Sequence, residues 1–349
     1  MTTLRLATQA DDVLIRRLLR TITMPTWVEM TIEREPSFFA AKDLFGQDWA
    51  VLAEEEGDTV GMYTAAVLPV HVDGRPEQLG YLGGLRVHPR YRGRIRYLRE
   101  GYASIEPLAP VRRSRPWWFT VVAAQNDVAR RLLEAGVAGL PAYHFQGDYI
   151  TYVLPTARGK LGTLWRQAAP ADVPRIVDFH NTRAAAVQYS PVLNEGAVKR
   201  IGHQRFFVHE YRGALAGVAA LWDQRAFKQI VARRYRGAIR TLVPAYNVYA
   251  KLFRHIPLPA EGDPLQQTFV AFLALADSIG ANAYGLLQDL LARCRTPAAS
   301  VGLHAGHPLV RTVERFKPIS YPAKVYAVSL DTARPAMDVR PVQPEAALL

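Results

Sequence analysis

The chain has 349 residues, including 43 Lys or Arg and 31 Asp or Glu, and its formal net charge is +12. It contains no apolar run of membrane-spanning length and no secretory signal at its amino terminus, so we expect a cytoplasmic protein. A single cysteine, Cys294, excludes an intramolecular disulfide framework and a multi-cysteine metal site, and we interpret it as structural. The length favours two domains over one.

The positive charge calls for an anionic partner. Coenzyme phosphates, an acidic substrate, nucleic acid and a membrane surface are all compatible with it. The sequence has no zinc-finger spacing, no basic region followed by heptads and no aromatic RNA-binding submotif, so we expect no specific nucleic-acid partner. His304 and His307 flank a glycine without an evident third ligand, and we expect no metal site.

The first half predicts a mixed α/β order in which strands come first and then alternate with helices. The predicted strands are 63–72, 79–87, 117–124 and 148–154, and the predicted helices begin at Ile95 and span 127–135. The second half repeats this order. Its predicted strands are 269–275, 299–303 and 325–330, and its predicted helices are 286–293 and 308–316.

Two pairs of similar sequence segments support an internal repeat. The segment from Arg5 to Asp11 recurs from Arg166 to Asp172, each time before an apolar pattern typical of a helix. Residues 51–61 likewise resemble residues 207–217, and both read as a strand, a polar turn and a second strand.

An arginine-rich turn follows the strand that ends at Val87. Its sequence is Arg90-Tyr91-Arg92-Gly93-Arg94-Ile95-Arg96, and a helix is predicted from Ile95. A strand, a glycine turn and a helix amino terminus point backbone N–H groups at one place, where the helix dipole also favours negative charge. Arginines add forked hydrogen bonds to phosphate oxygens. A basic surface turn is the alternative interpretation.

The run from Arg90 to Ile95 resembles motif A of the GCN5-related N-acetyltransferase family, with Ile95 in place of the motif's last glycine or alanine. The segment 126–136 resembles motif B of the same family, with Leu133 where the motif usually has tyrosine. The resemblance implies that acetyl-CoA is the acyl donor and that an amine is the acceptor. It also implies coenzyme-binding residues, which are Leu85, Arg86, Val87, Arg90, Tyr91, Arg92, Gly93, Arg94, Ile95, Arg96 and Asn126.

Acetyl transfer needs a base for the amine proton and an acid for the leaving thiolate. Tyr81 occupies the position that carries a glutamate base in some members of the family. Because Leu133 replaces the usual tyrosine acid, the thiolate proton must come from elsewhere, and the candidate sources are Tyr143, His144 and solvent. Each of the three side chains is equally compatible with a packing or surface role.

We therefore expect two tandem domains of the acetyltransferase fold, 1–157 with the coenzyme loop and 158–330 in degenerate form, followed by a tail at 331–349. The second half has no arginine-glycine loop at the corresponding turn. The favoured function is an acyl-CoA-dependent N-acetyltransferase. The alternative is a catalytically degenerate module that senses coenzyme or binds partners. The acceptor and the oligomeric state are not predicted.

Residues 228–255 form a basic amphipathic stretch inside the second half. We interpret it as a pair of helices packed on its own domain. It is also compatible with covering the active site or with binding to an anionic membrane surface.

Overall fold

The computed structural model describes residues 2–22, 27–277, 282–331 and 334–349. The strands are β1 (Thr3–Leu6), β2 (Val28–Glu33), β3 (Gln47–Glu55), β4 (Asp58–Val72), β5 (Arg75–Val87), β6 (Trp118–Ala123), β7 (Ala142–Pro155), β8 (Arg166–Gln167), β9 (Phe206–Tyr211), β10 (Ala214–Trp222), β11 (Gln229–Tyr235), β12 (Gln267–Leu275), β13 (Ala298–His304) and β14 (Ile319–Ser329). The helices are α1 (Asp12–Thr21), α2 (Ile95–Ala103), α3 (Asp127–Glu134), α4 (Val173–Ala184), α5 (Glu195–Ile201), α6 (Ile239–Leu252), α7 (Ala283–Ala292) and α8 (Val310–Glu314). The predicted mixed α/β class is confirmed.

Twelve of the described strands form one sheet, in the order β1-β3-β4-β5-β6-β14-β7-β13-β12-β10-β9-β8. The last strand of the chain, β14, lies between β6 and β7 of the first half and is antiparallel to both. In turn β7 pairs with β13 of the second half. The two halves of the sequence therefore share their closing strands, and a single sheet runs through both.

The repeat predicted from the sequence has a matching set of ion pairs in each half. Arg5 donates to both carboxylate oxygens of Asp11 at 2.7 and 2.8 Å, and Arg166 does the same to Asp172 at 2.8 and 2.6 Å. Each arginine also bonds to a glutamate on the strand that pairs with its own, Glu54 on β3 in the first half and Glu210 on β9 in the second. The arginine holds the pKa of each aspartate below its usual range, to about 2 for Asp172.

The segment predicted as a tail is part of the core, which corrects that prediction. Val342, Ala346 and Ala347 are 3%, 7% and 3% exposed and belong to the main apolar cluster. Tyr149 on β7 donates a hydrogen bond to the main-chain oxygen of Pro344 at 2.7 Å. The small apolar residues of this segment bury little area individually, so its packing was not visible in its proline- and alanine-rich composition.

The basic stretch 228–255 is not the predicted pair of helices. Its first part is the strand β11, which pairs antiparallel with β2 in a separate two-stranded sheet. Its second part is α6. The partner strand β2 comes from the first half of the chain, so the pairing that makes β11 a strand is not a local property of the sequence.

Candidate functional site

A cleft opens in the first half where β5 and β6 separate. The two strands are parallel and pair only at Gly80 with Trp118 and at Tyr81 with Phe119. Further along, β5 remains paired with β4 on its other side as far as Val87. One edge of β5 therefore borders the cleft without a strand partner among the described residues.

A bulge in β5 lies beside this cleft. The register between β4 and β5 shifts between Met62 and Thr64, so Gly84 and the next residue of β5 oppose one residue of β4. Gly84 has φ +60°, and a Cβ there would lie 2.6 Å from Oγ1 of Thr64. Glycine is thus required for both conformation and space. The bulge turns Leu85 outward, and its side chain is 44% exposed.

The arginine-rich turn connects β5 to α2, as the sequence predicts. It contains Gly93 in the left-handed region, with φ +81°, and a Cβ there would meet nothing within 4 Å. Arg94 precedes the first turn of α2, and its side chain does not cap the helix. Ile95 is the first residue of α2 and is half-buried. The amino terminus of α2 therefore starts directly after an open, exposed turn.

Two of the loop arginines are held by acidic residues of the β3–β4 hairpin. Arg90 lies 3.5 Å from Asp58, and Arg96 lies 2.6 Å from Glu55. Tyr91 also donates to Asp58, at 2.9 Å. These contacts fix the two ends of the loop against the hairpin.

The two arginines between them are exposed and form no ion pair within the described part of the chain. Arg92 donates to the main-chain oxygen of Val87 at 3.4 Å, and Arg94 donates to the hydroxyl of Tyr97 at 3.4 Å. Both contacts are long and involve uncharged acceptors, so they compete weakly with an anion. Arg92 and Arg94 are the members of the loop best able to bind phosphate oxygens.

Tyr81 lies at the closed end of the cleft, where its ring centroid is 5.0 Å from that of Phe119. Burial raises the pKa of Tyr81 to about 12, although Arg34 and Arg86 act in the opposite direction. The phenol is therefore protonated at neutral pH. It can donate a hydrogen bond there, but it is poorly suited to the role of general base.

Arg86 follows the bulge and is half-buried. Its Nε atom has no hydrogen-bond partner, and burial lowers its pKa. One terminal nitrogen donates to the main-chain oxygen of Leu85 at 3.0 Å. A half-buried guanidinium with an unused donor is suited to bind an acceptor group of a ligand.

Sequence reasoning missed two further cations, namely Arg34, whose charge acts on Tyr81, and Lys228, which lies near Arg34. Glu33 of β2 pairs with Gln229 of β11, so the next register position brings Arg34 and Lys228 opposite each other. Burial and the neighbouring Arg34 lower the pKa of Lys228 to about 7. Lys228 donates to the main-chain oxygen of Leu349. The only sequence signal was that Lys228 begins the basic stretch.

The other two predicted catalytic residues, Tyr143 and His144, lie on β7. The sheet order places β14 between β6 and β7, and strands are about 4.8 Å apart, so the two residues are roughly 10 Å beyond β6. The Tyr143 hydroxyl is 2.7 Å from that of Tyr102, and burial raises its pKa well above the usual value. Burial lowers the pKa of His144, whose Nε2 has no partner. The structure does not bring them together with Tyr81.

Asn126, predicted to contact coenzyme, caps α3. Its side-chain oxygen accepts a hydrogen bond from the backbone N–H of Ala129 at 3.2 Å. That oxygen is already used in capping, so only the amide NH₂ is left to contact a ligand.

The second half contains a bulge of the same form. The register between β10 and β12 shifts between Val218 and Ala220, and Phe272 has φ +52°. Here, however, the backbone N–H of Phe272 donates to Oε2 of Glu345 at 2.7 Å. Gln343 accepts from the N–H of His304 and donates to the oxygen of Gly302 on β13. The segment 343–347 thus bonds to both strands that border the second cleft.

Within the described ranges, no group of three or more His, Cys, Asp and Glu side chains could hold a metal ion. No helix in the same ranges combines the length and apolar character needed to cross a membrane.

The fold is that of GCN5-related N-acetyltransferases. A protein of that description from Sphaerobacter thermophilus matches with a TM-score of 0.53 and 15% identity, over 98% of this chain and 97% of that one. One from Anabaena variabilis matches with a TM-score of 0.50 and 10% identity, over 95% and 73%. One from Kribbella flavida has a TM-score of 0.43 and 14% identity, and the chain covers only 60% of its length. No family model and no curated protein matches the sequence.

Proposed function

We propose that the protein is an acyl-CoA-dependent N-acyltransferase that transfers acetyl from acetyl-CoA to an amine by direct attack. The observation that carries the proposal is the cleft between β5 and β6, which ends at a loop with two exposed, unpaired arginines and a helix amino terminus. The free edge of β5 offers backbone hydrogen-bonding groups to an extended ligand. The loop and the helix amino terminus offer an anion site at one end of the cleft.

Each part of the coenzyme would meet a different part of the site. Arg92 and Arg94, with the first turn of α2, would hold the pyrophosphate. The free edge of β5 from Leu85 to Val87 would pair with the pantetheine arm, and an N–H at the bulge would polarise the thioester carbonyl. These roles follow the family resemblance. Arg90 and Arg96 would support the loop through their carboxylate partners.

Among the described side chains, we assign a role in the chemistry of acyl transfer only to Tyr81. Tyr81 is protonated at neutral pH, so we propose it as a hydrogen-bond donor near the acyl group and not as the base. The amine can then enter neutral or lose its proton to solvent, and the leaving coenzyme A thiolate takes its proton from solvent. This arrangement also supports the alternative of a module that binds coenzyme without turnover. Binding heat measured together with thiol release over a panel of amines separates the two.

We also propose that the division near residue 157 separates one working half from one that does not bind coenzyme. The chain itself occupies the second cleft, because Glu345 hydrogen-bonds to the backbone of β12 and Gln343 hydrogen-bonds to the backbone of β13. Titration calorimetry with coenzyme A should therefore give one site per chain. A second site of similar affinity would contradict this assignment.

The first test removes the charge of the loop with Arg92→Ala and Arg94→Ala together. We expect coenzyme A binding to weaken by roughly 1.5–3 kcal/mol for each charge-assisted hydrogen bond lost, measured by calorimetry. The matched control is Arg295→Ala with Arg311→Ala, which removes the same charge at exposed positions in the second half. Equal affinity in the loop variant and its control would refute the assignment.

A second test concerns the backbone of the loop. Gly93→Val should weaken coenzyme binding strongly, because a β-branched residue at φ +81° costs about 1–3 kcal/mol and the loop must change conformation to relieve it. Gly213→Val is the control, since Gly213 has φ +78°, also has nothing within 4 Å and lies in the second half. Gly93→Asn should retain binding because asparagine tolerates this conformation. If the two valine variants bind coenzyme equally, the phosphate site lies elsewhere.

A further inference from the structure

The helix α6 has two apolar faces, and only one of them packs on the protein. Ile239 and Val243 contact a small cluster beneath the helix, and Ala250 is 1% exposed. The other face is in solvent. Its large apolar side chains are Leu242 at 59% exposure, Val248 at 63%, Tyr249 at 46% and Leu252 at 73%, followed by Phe253 at 58%.

These positions form one surface by helical geometry. Tyr249 lies seven residues after Leu242, and Leu252 lies three after Tyr249 and four after Val248, so these four side chains lie along one side of α6. Single exposed apolar residues are common on soluble proteins, but a contiguous stripe of this kind marks a binding surface. We call it the α6 stripe, defined by Leu242, Val248, Tyr249, Leu252 and Phe253.

The charged groups near the stripe are basic. Arg240, Lys251 and Arg254 are exposed on or just after α6, and the sequence has no acidic residue from 237 to 260. Arg158 adds a further cation at this end, because its Nε donates to the main-chain oxygen of Arg254 at 3.3 Å. Arg240, near the start of α6, lies 3.5 Å from Glu261.

The aromatic groups gather at the same end of the helix. The ring centroid of Tyr249 is 4.6 Å from that of Phe253 and 5.4 Å from that of His255. Amphipathic aromatic rings concentrate at the boundary between lipid and water, and flanking Lys and Arg side chains reach from there to lipid phosphates.

We propose that the α6 stripe docks the protein on an anionic membrane surface, with Leu252 and Phe253 inserted among the lipids and Lys251 and Arg254 against acidic headgroups. A basic helix with a protruding apolar face fits this partner. A second copy of the chain fits poorly, because pairing two such faces would bring their cations together. The proposal is independent of acyl transfer.

The experiment is sedimentation of the full-length protein with vesicles of phosphatidylcholine alone or mixed with phosphatidylserine. We expect binding to the mixed vesicles, little binding to the neutral ones and release by high salt. Leu252→Ser with Phe253→Ser should weaken binding to the mixed vesicles by about tenfold or more, because the variant loses the apolar surface that the lipids would bury. Lys251→Glu with Arg254→Glu should also weaken it.

The control is Leu161→Ser with Val339→Ser, which changes two exposed apolar residues outside α6, with exposures of 69% and 102%. It should bind like the unmodified protein, and circular dichroism should show all variants folded. Absence of binding to mixed vesicles overturns the proposal. So does equal binding by the Leu252/Phe253 variant and the control. A monomer–dimer equilibrium that the Leu252/Phe253 variant abolishes would assign the stripe to a second copy instead.

Discussion

A chain that ends at Pro155 should be insoluble or unfolded, although it contains every residue proposed to bind coenzyme. In the whole protein β6 pairs with β14, for example Thr120 with Tyr326. A chain that ends there lacks β14, and β7 loses both of its neighbours, β14 and β13. Tyr149, Tyr152 and Leu154 of β7 are at most 2% exposed, and much of the surface that buries them would be missing. Unpaired apolar strand edges promote aggregation.

Co-expression provides the matched control for this prediction. A separate chain of residues 156–349 contains β13 and β14, so the two fragments together can rebuild the sheet and should be recovered as a soluble complex. Size-exclusion chromatography and coenzyme titration of the fragment alone and of the complex measure the difference. If residues 1–155 alone form a stable monomer that binds coenzyme A like the whole chain, the shared strands are not needed for the first half to fold.

The sequence predicted those structural features whose signals come from residues close together in the chain. The strand 79–87, the glycine turn and the helix from Ile95 could be predicted because hydrophobic pattern, turn residue and helix start are neighbours in the chain. The similarity between the segments that begin at Arg5 and Arg166 could be recognised for the same reason. The structure adds the ion pairs that explain this similarity.

The exchange of closing strands could not be predicted in this way. The carboxyl-terminal parts of β7 and β14 are mostly buried and apolar, and their patterns are the same whichever half supplies the neighbouring strand. The placement of Arg34 opposite Lys228 depends on the pairing of β2 with β11, which joins residues such as Glu35 and Gln229 that are 194 positions apart. Tyr143 and His144 were candidates because Leu133 replaces the usual tyrosine acid, but the insertion of β14 moves them away from the cleft.

Replacing Glu345 by alanine should destabilise the protein more than most single substitutions. The buried carboxyl group accepts the backbone N–H of Phe272 at 2.7 Å and that of Ala347 at 3.1 Å. Each buried N–H left without an acceptor costs about 1–3 kcal/mol. Phe272 also has φ +52° in the middle of β12, a conformation that the bond to Glu345 helps to hold. Urea denaturation of the alanine variant and the unmodified protein measures the loss.

Glu345→Gln is the matched control, because it keeps one acceptor oxygen and cannot ionise. Burial raises the pKa of Glu345 from 4.5 to about 7, so the folded state holds a proton that the unfolded state releases. This contribution to stability is fully present below pH 4.5 and is lost as the pH rises through 7. The unmodified protein should therefore lose stability over that range relative to the glutamine variant, since the remaining titrating groups are common to both. If the stability of the two proteins changed with pH in the same way, the pKa of Glu345 would be the same in the folded and unfolded states. The second cleft would then not be closed by a protonated Glu345.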